Sequence, residues 1–411
     1  MNNRKVIVFL LALVLGLAWI ANNKATAQYN APIAYAQILE MVERNSIYEL
    51  SKAELTALSE CILNRAFISI NIPKNAELGK DFLMQSCFAK DKHAGYESPV
   101  QVKLEQAQRT GKFSGIGIEI GLSEDGQGAV VKGIIDGGPV AKSGLLKEGD
   151  LIIAAGNNPK NMRSFVGFSV SDIVVIIRGK IGTAVTLEVV RGGNKLPLIA
   201  ITRGEVKLIS VEFRKLDSGI GYLRLRSFFK INLIEEDVLP ALLRLANDGV
   251  DRLVIDLRGN PGGLVRNAEQ FAEVFAPKDN AFIIEIRGRE EGETYASEHF
   301  GEKFGLYSGW KTVILVDGKS ASASELVAGV MQIWGSKIFG EKTYGKGSMQ
   351  SVFSLADGGR FKLTTAKWYF SNGKTPDGVG IIPDFAIAKD PNDEKRDAVL
   401  EEAVKYLKNF Q

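Results

Sequence analysis

The chain has 411 residues, of which 45% are hydrophobic and 24% charged, with 51 basic against 48 acidic side chains. That is the composition of a globular protein of two or three domains. A net charge of +3 without a basic cluster argues against a nucleic-acid partner. The first residues stand apart: Arg4 and Lys5 precede an apolar run from Val6 to Ala21, and Ala25-Thr26-Ala27 offers small residues in A-x-A order. These are the three parts of a secretory signal peptide, read over 1–27 with cleavage after Ala27. The alternative is an uncleaved anchor that would keep the protein beside a membrane, but the run is shorter than the ~20 residues a spanning helix needs. Either way the chain is expected to be exported, to a periplasmic or other extracytoplasmic compartment. There Cys61 and Cys87, the only cysteines, can oxidise. Sequence leaves open whether they bridge two helical stretches or stay apart as buried thiols.

Residues 28–110 alternate helical patterns with polar connectors, with a loop over 91–96. At Phe113 the pattern changes. Ile116, Ile118 and Ile120 alternate with Gly and Glu, and Ala129–Val131, Ile134–Ile135 and Val185–Val190 also read as strands. Between them lie a short helical stretch from Gly138 to Leu145 and an apolar helical patch from Ile173 to Ile177. From about Ile220 strands alternate with helices. Leu253–Leu257 runs into Arg258-Gly259-Asn260-Pro261-Gly262-Gly263 and a helix, and Thr312–Val316 runs through Asp317-Gly318-Lys319 into another. Such alternation predicts a largely parallel sheet.

With only His93 and His299, neither in a glycine-rich or strand-to-helix setting, a Ser-His-Asp triad is not expected. No His or Cys pair has ligand spacing, so no metal and no cofactor is expected either. Ser320, Ser322 and Ser324 alternate at the mouth of a helix. Ser322 with Glu325 spells a capping box, yet helix-start amides can also stabilise an oxyanion beside a nucleophile. Gly340 to Lys346 spells G-x-x-x-x-G-K, but Gly347 stands where a phosphate loop needs Ser or Thr, and a strand pattern follows instead of a helix. Lys346 is then either a solvated turn lysine or a desolvated base able to accept a proton. Asn260–Gly263 is either a plain tight turn or one that aims an N–H at a substrate carbonyl.

Taken together these segments resemble the C-terminal processing peptidases, or tail-specific proteases. Ser320-Ala321-Ser322-Ala323-Ser324-Glu325 looks like the nucleophile segment, and Thr343-Tyr344-Gly345-Lys346-Gly347 with Gln350 looks like the lysine-base segment. Asp256 to Gly263 resembles the oxyanion turn, and Gly378 to Asp384 the closing segment. The resemblance implies Ser322 as nucleophile, Lys346 as base and Gln350 as the residue that orients it. Ala323 and one of Gly262 or Gly263 would be oxyanion donors. It also implies a PDZ domain over 111–205. There Ser114-Gly115-Ile116-Gly117 would cradle the free, apolar C-terminus of a protein or peptide substrate, and Arg178 would couple binding to catalysis.

The expected fold is α+β and multidomain: a helical N-terminal region (28–110), the PDZ domain, an α/β, crotonase-like peptidase core with a mixed sheet (206–390), and a C-terminal helix (391–411). Two departures stand out. The stretch Gly335–Gly340 is one residue shorter than the family's helix-to-strand connector. The region before Phe113 matches little beyond its end near Tyr96, which leaves a homo-oligomer open. The competing reading is a non-catalytic PDZ scaffold.

Overall fold

The computed structural model describes residues 30–71, 87–88, 90–97, 99–277, 282–289, 294–297, 305–356, 358–387 and 396–409. The leader expected over 1–27 and His299 lie outside them. The chain forms two compact units, the first comprising Met1–Leu208 with Gln350–Thr364, the second Ile209–Met349 with Thr365–Gln411. Residues 350–364, grouped with the peptidase core in the sequence reading, thus pack with the N-terminal half.

The first unit opens with helices α1 (Asn30–Asn45) and α2 (Lys52–Asn71). Ser51 and Glu54 start α2 as a capping box, Ser51 N donating to the Glu54 carboxylate at 2.8 Å and Glu54 N to Ser51 Oγ at 3.3 Å. Their apolar faces (Ile38, Val42, Leu58, Ile62) close over Phe88, Leu355, Phe361 and Leu363. Cys61 on α2 is bonded to Cys87, which settles the question left open by spacing. Gly95 and Tyr96, expected to be loop, belong to strand β1 (Gly95–Glu97), paired antiparallel with Arg360–Lys362. A third helix, α3 (Pro99–Arg109), leads into β2 (Lys112–Gly115).

Then follow β3 (Ile118–Leu122), β4 (Ala129–Ile134), α4 (Pro139–Ser143), β5 (Leu151–Gly156), β6 (Arg163–Ser164), α5 (Val170–Ile177), β7 (Ala184–Arg191), β8 (Asn194–Lys195), β9 (Ile199–Thr202) and β10 (Gly204–Lys207). The sheet runs β3-β4-β5-β7-β8, with β6 on β5 and β9 on β7, while β10 pairs with β2. Alternation along β4 and β7 sends Ala129, Val131, Val185, Leu187 and Val189 into a core closed by Ile173 and Ile177 of α5. Among the described residues β3 pairs on one side only, so it is an edge strand.

The second unit is built on a six-stranded sheet. Its elements are β11 (Val211–Lys215), β12 (Ile220–Leu225), α6 (Leu239–Asn247), β13 (Arg252–Asp256), α7 (Val265–Val274), β14 (Ile284–Arg287), β15 (Thr294–Ser297), β16 (Lys311–Val316), α8 (Ala323–Ile333), β17 (Lys337–Gly340), β20 (Phe385–Ala386) and α9 (Ala398–Lys408), while β18 (Ser348–Ser354) and β19 (Arg360–Tyr369) are divided, their residues 350–364 belonging to the first unit. The order is β11-β12-β13-β16-β17-β20, with β11 antiparallel and the others parallel, the mixed sheet expected. Leu253, Ile255, Ile314 and Val316 face the core shared with α6, α7 and α8, while Val254, Val313 and Leu315 face Val399, Ala403 and Leu407 of α9. Covering both faces explains why these strands read as unbroken apolar runs. The segment taken as a connector, Gly335–Gly340, contains β17.

Candidate active site

Three candidate segments leave the carboxyl ends of neighbouring parallel strands. Asn260–Gly263 follows β13, Ser322 follows β16, and Lys346 follows β17. This is the edge of a parallel sheet where loops converge and ligands bind.

Ser322 sits between β16 and α8 with φ 55° and ψ −115°. An ordinary N-cap is extended, as Ser169 is before α5, with φ −75°, ψ 163° and its hydroxyl accepting from Asp172 N at 3.3 Å. A left-handed serine on a strand-to-helix turn is strained by ~1–3 kcal/mol and pushes its hydroxyl outward, as a nucleophile requires. Neighbouring bonds hold that strain. Asp317 Oδ1 accepts from Gly259 N (2.9 Å) and Ser320 N (3.0 Å), and Ser320 Oγ donates to Leu257 O (2.8 Å). Ser324 Oγ and Ala321 N both donate to Asn260 O at 3.0 Å.

The glycine turn is pressed against the serine. A Cβ on Gly262 (φ 99°) would lie 2.9 Å from Ser322 Cβ and 2.7 Å from Ala321 O, so this position takes only glycine. Buried Asn260 shapes the turn by donating to Leu225 O (3.0 Å) and accepting from Gly262 N (2.9 Å). That commits the Gly262 amide. The amides of Gly263 and Ala323 donate to no acceptor among the described residues.

The lysine segment is tied to the serine by a residue that sequence reading treated only as half of a capping box. Glu325 is fully buried. Its Oε2 accepts from Ser322 N (2.8 Å) and Lys346 N (2.7 Å), and its Oε1 from Gly345 N (2.7 Å) and Thr343 Oγ1 (2.6 Å). One carboxylate therefore binds the backbone of both candidate catalytic residues. Tyr344 N adds a bond to Ser320 O at 3.0 Å. Lys346 itself is half-buried.

Behind the turn lies a charged network that no local motif announced. Buried Asp256 accepts from Tyr222 Oη (2.7 Å) and from Arg258 Nε and Nη2 (3.0 and 2.6 Å), and Arg258 also grips Asp397 at 2.7 and 2.8 Å. Burial and then the Asp256 charge push the Tyr222 phenol up, while burial of Arg258 is more than offset by its two carboxylates, which raise its pKa. Asp397 also caps α9 through Leu400 N (3.1 Å). The turn is thus braced from the C-terminal helix.

Gln350 and the loop Ser114–Gly117, expected to cradle a substrate C-terminus, belong to the first unit. Gln350 Nε2 donates to Thr364 Oγ1 at 3.2 Å. In the loop, Ile116 O and Gly117 O accept from Val140 N and Ile135 N, whereas the amides of Ile116 and Gly117 find no acceptor among the described residues. Gly117 has φ 77° and abuts Gly138. Ser114 Oγ donates to Gly179 O. Next to it the Arg178 guanidinium lies 4.1 Å above the Phe113 ring, with its stem against Gly115, and burial lowers its pKa.

The family model for Peptidase family S41 matches residues 219–387, and that for the PDZ domain residues 104–190. The carboxy-terminal-processing protease of Bartonella bacilliformis is 30% identical over 391 residues, covering 93% of this chain and 82% of its own length. Carboxy-terminal processing protease CtpB of Bacillus subtilis is 33% identical over 280 residues, which is 67% of this chain and 55% of the relative. Among solved structures, a photosystem II D1 C-terminal processing protease shares the fold with a TM-score of 0.53 at 22% identity, over 93% of this chain and 98% of that one. The chain therefore belongs to peptidase family S41, as a serine-type peptidase of the carboxy-terminal processing kind that carries a PDZ domain.

Proposed function

We propose that Ser322 attacks the substrate carbonyl, Lys346 takes its proton and returns it to the leaving amine, and Gln350 orients the lysine. The amides of Gly263 and Ala323 receive the oxyanion. The observation that carries this reading is the strained Ser322 at a helix start, flanked by two uncommitted amides and tied through Glu325 to the lysine segment. Gly263 is preferred over Gly262 because the Gly262 amide is already spent on Asn260.

Substrates are proteins with free, apolar C-termini. The edge of β3 offers a place for an added strand, and the amides of Ile116 and Gly117 suit a terminal carboxylate. Partly buried Ile118, Ile120 and Ile176 suit apolar side chains. Arg178 couples this site to catalysis. The enzyme works outside the cytoplasm, supported by the leader-like N-terminus and the Cys61–Cys87 bond.

The test is degradation of an unstructured protein ending in apolar residues. Ser322→Ala and Lys346→Ala should each abolish cleavage while tail-peptide binding persists. Undiminished cleavage by Ser322→Ala would refute the mechanism.

A further inference from the structure

We propose that Asp91 and Thr364 are positioning residues that fix which end of the Gln350 amide faces its working partner. The inference rests on the reading above that Gln350 orients Lys346. It extends that reading into the N-terminal region, where the family resemblance is weakest.

The argument follows the hydrogens. Asp91, 5% exposed, accepts four bonds: His93 N and Ala94 N at 3.0 Å, Thr364 N at 2.9 Å, and Thr364 Oγ1 at 2.8 Å. A carboxylate holding three amides in this way is an acceptor, so the Thr364 hydroxyl must spend its single hydrogen on it. Thr364 is fully buried and its backbone is pinned by Ile47 N, which donates to Thr364 O at 3.0 Å, so the hydroxyl has no freedom to turn away. Its oxygen then presents only lone pairs to Gln350, 3.2 Å away. Of the two ends of an amide, only the NH2 can meet lone pairs, so Nε2 faces Thr364 and Oε1 lies at the opposite end. An outward carbonyl oxygen can accept from an ammonium; an outward NH2 would repel it. The relay from Asp91 through Thr364 thus sets Oε1 as the end of Gln350 that the reading above assigns to the lysine.

The test uses substitutions that change hydrogen-bond direction with little change of shape. Thr364→Ser keeps the hydroxyl and should keep wild-type kcat. Thr364→Val removes it, so kcat should fall about tenfold or more at nearly constant KM, as for a misaligned catalytic group. An amide acceptor stabilises the charged lysine, so the acidic limb of kcat/KM should also move to lower pH in Thr364→Val. The decisive arm is Gln350→Glu. A carboxylate there would face the Thr364 lone pairs, so adding Thr364→Val should raise its activity, although the same change lowers activity in the wild type.

A purely structural role predicts that Thr364→Val harms both backgrounds alike and leaves the limb in place; either result overturns the proposal. If Gln350→Glu is too slow to measure, the pH limb of Thr364→Val decides. If Thr364→Val unfolds in a thermal melt, Asp91→Ala, which frees the hydroxyl to turn, should give the same limb shift, and an unmoved limb refutes the relay. Full activity of Ser322→Ala in the same assay would instead show that the underlying site assignment is wrong.

Discussion

Glu325→Gln is a nearly isosteric change at a site where four donors converge on one buried carboxylate. A glutamine must place its NH2 where one oxygen was. At the Oε2 position it would oppose two backbone N–H groups, of Ser322 and Lys346. At Oε1 it would oppose Gly345 N and lose the Thr343 hydroxyl, which is already accepting from Ile381 N at 2.6 Å. The second choice is milder, and it still removes two charge-assisted bonds and strands a buried donor. At about 1.5–3 kcal/mol per bond to a charged group, partly recovered by the amide, the cost is about 3–5 kcal/mol. That is a large share of a typical stability of ~5–15 kcal/mol. Thermal unfolding should shift down by about 6–20 °C. In the degradation assay kcat should fall about a hundredfold, because both candidate catalytic residues take their backbone position from this carboxylate. Wild-type kcat and an unchanged melting temperature would refute the claim that Glu325 sets the site.

Gly262→Ala should lower the melting temperature and also lower kcat more than KM, since its methyl would intrude on Ser322 Cβ and Ala321 O; kinetics alongside a melt separate the two effects. Replacing both Cys61 and Cys87 by Ser should cost about 3.5 kcal/mol by loop-closure entropy for a separation of 26 residues, measurable by denaturant unfolding. For Asp397, burial alone would raise the carboxyl, but its bonds to Arg258 and Leu400 N and the Arg258 charge reverse this and hold it below its ordinary value. Its contribution is therefore present above about pH 4 and lost as pH falls through the depressed value. Asp397→Asn should cost about 0.5–1 kcal/mol at neutral pH after solvent screening and flatten the acid limb of the stability profile; an unchanged acid limb would count against it.

Period and punctuation made much of the fold readable. The stretches Leu253–Leu257 and Thr312–Val316 announced strands of a largely parallel sheet, and alternation at Ile116, Ile118 and Ile120 announced a further strand; that the first two are covered on both faces and the last lies at an edge is seen in the structure. Four-residue β17 was missed because a strand that short, between Gly335 and Gly340, carries too little pattern to separate from a connector. At the candidate site, glycines and serines signalled the turns because those turns need special backbone angles. Gly262 and Gly263 looked equivalent in sequence, and it is the Asn260 side chain that takes up the amide of the first. Asp397 and Thr364 had no local signal at all. Each acts through a partner more than a hundred residues away in the chain or on a neighbouring strand, and such pairings exist only once the sheet has formed.

The left-handed backbone of Ser322 sets catalysis against endurance. Every residue but glycine is uncomfortable there, so selection for a more durable molecule would discard the nucleophile first. Ser322→Gly should accordingly give a protein that is inert yet firmer than its parent. Such a protein would be a better snare for natural substrates than an alanine variant, which keeps the strain and loses only the hydroxyl.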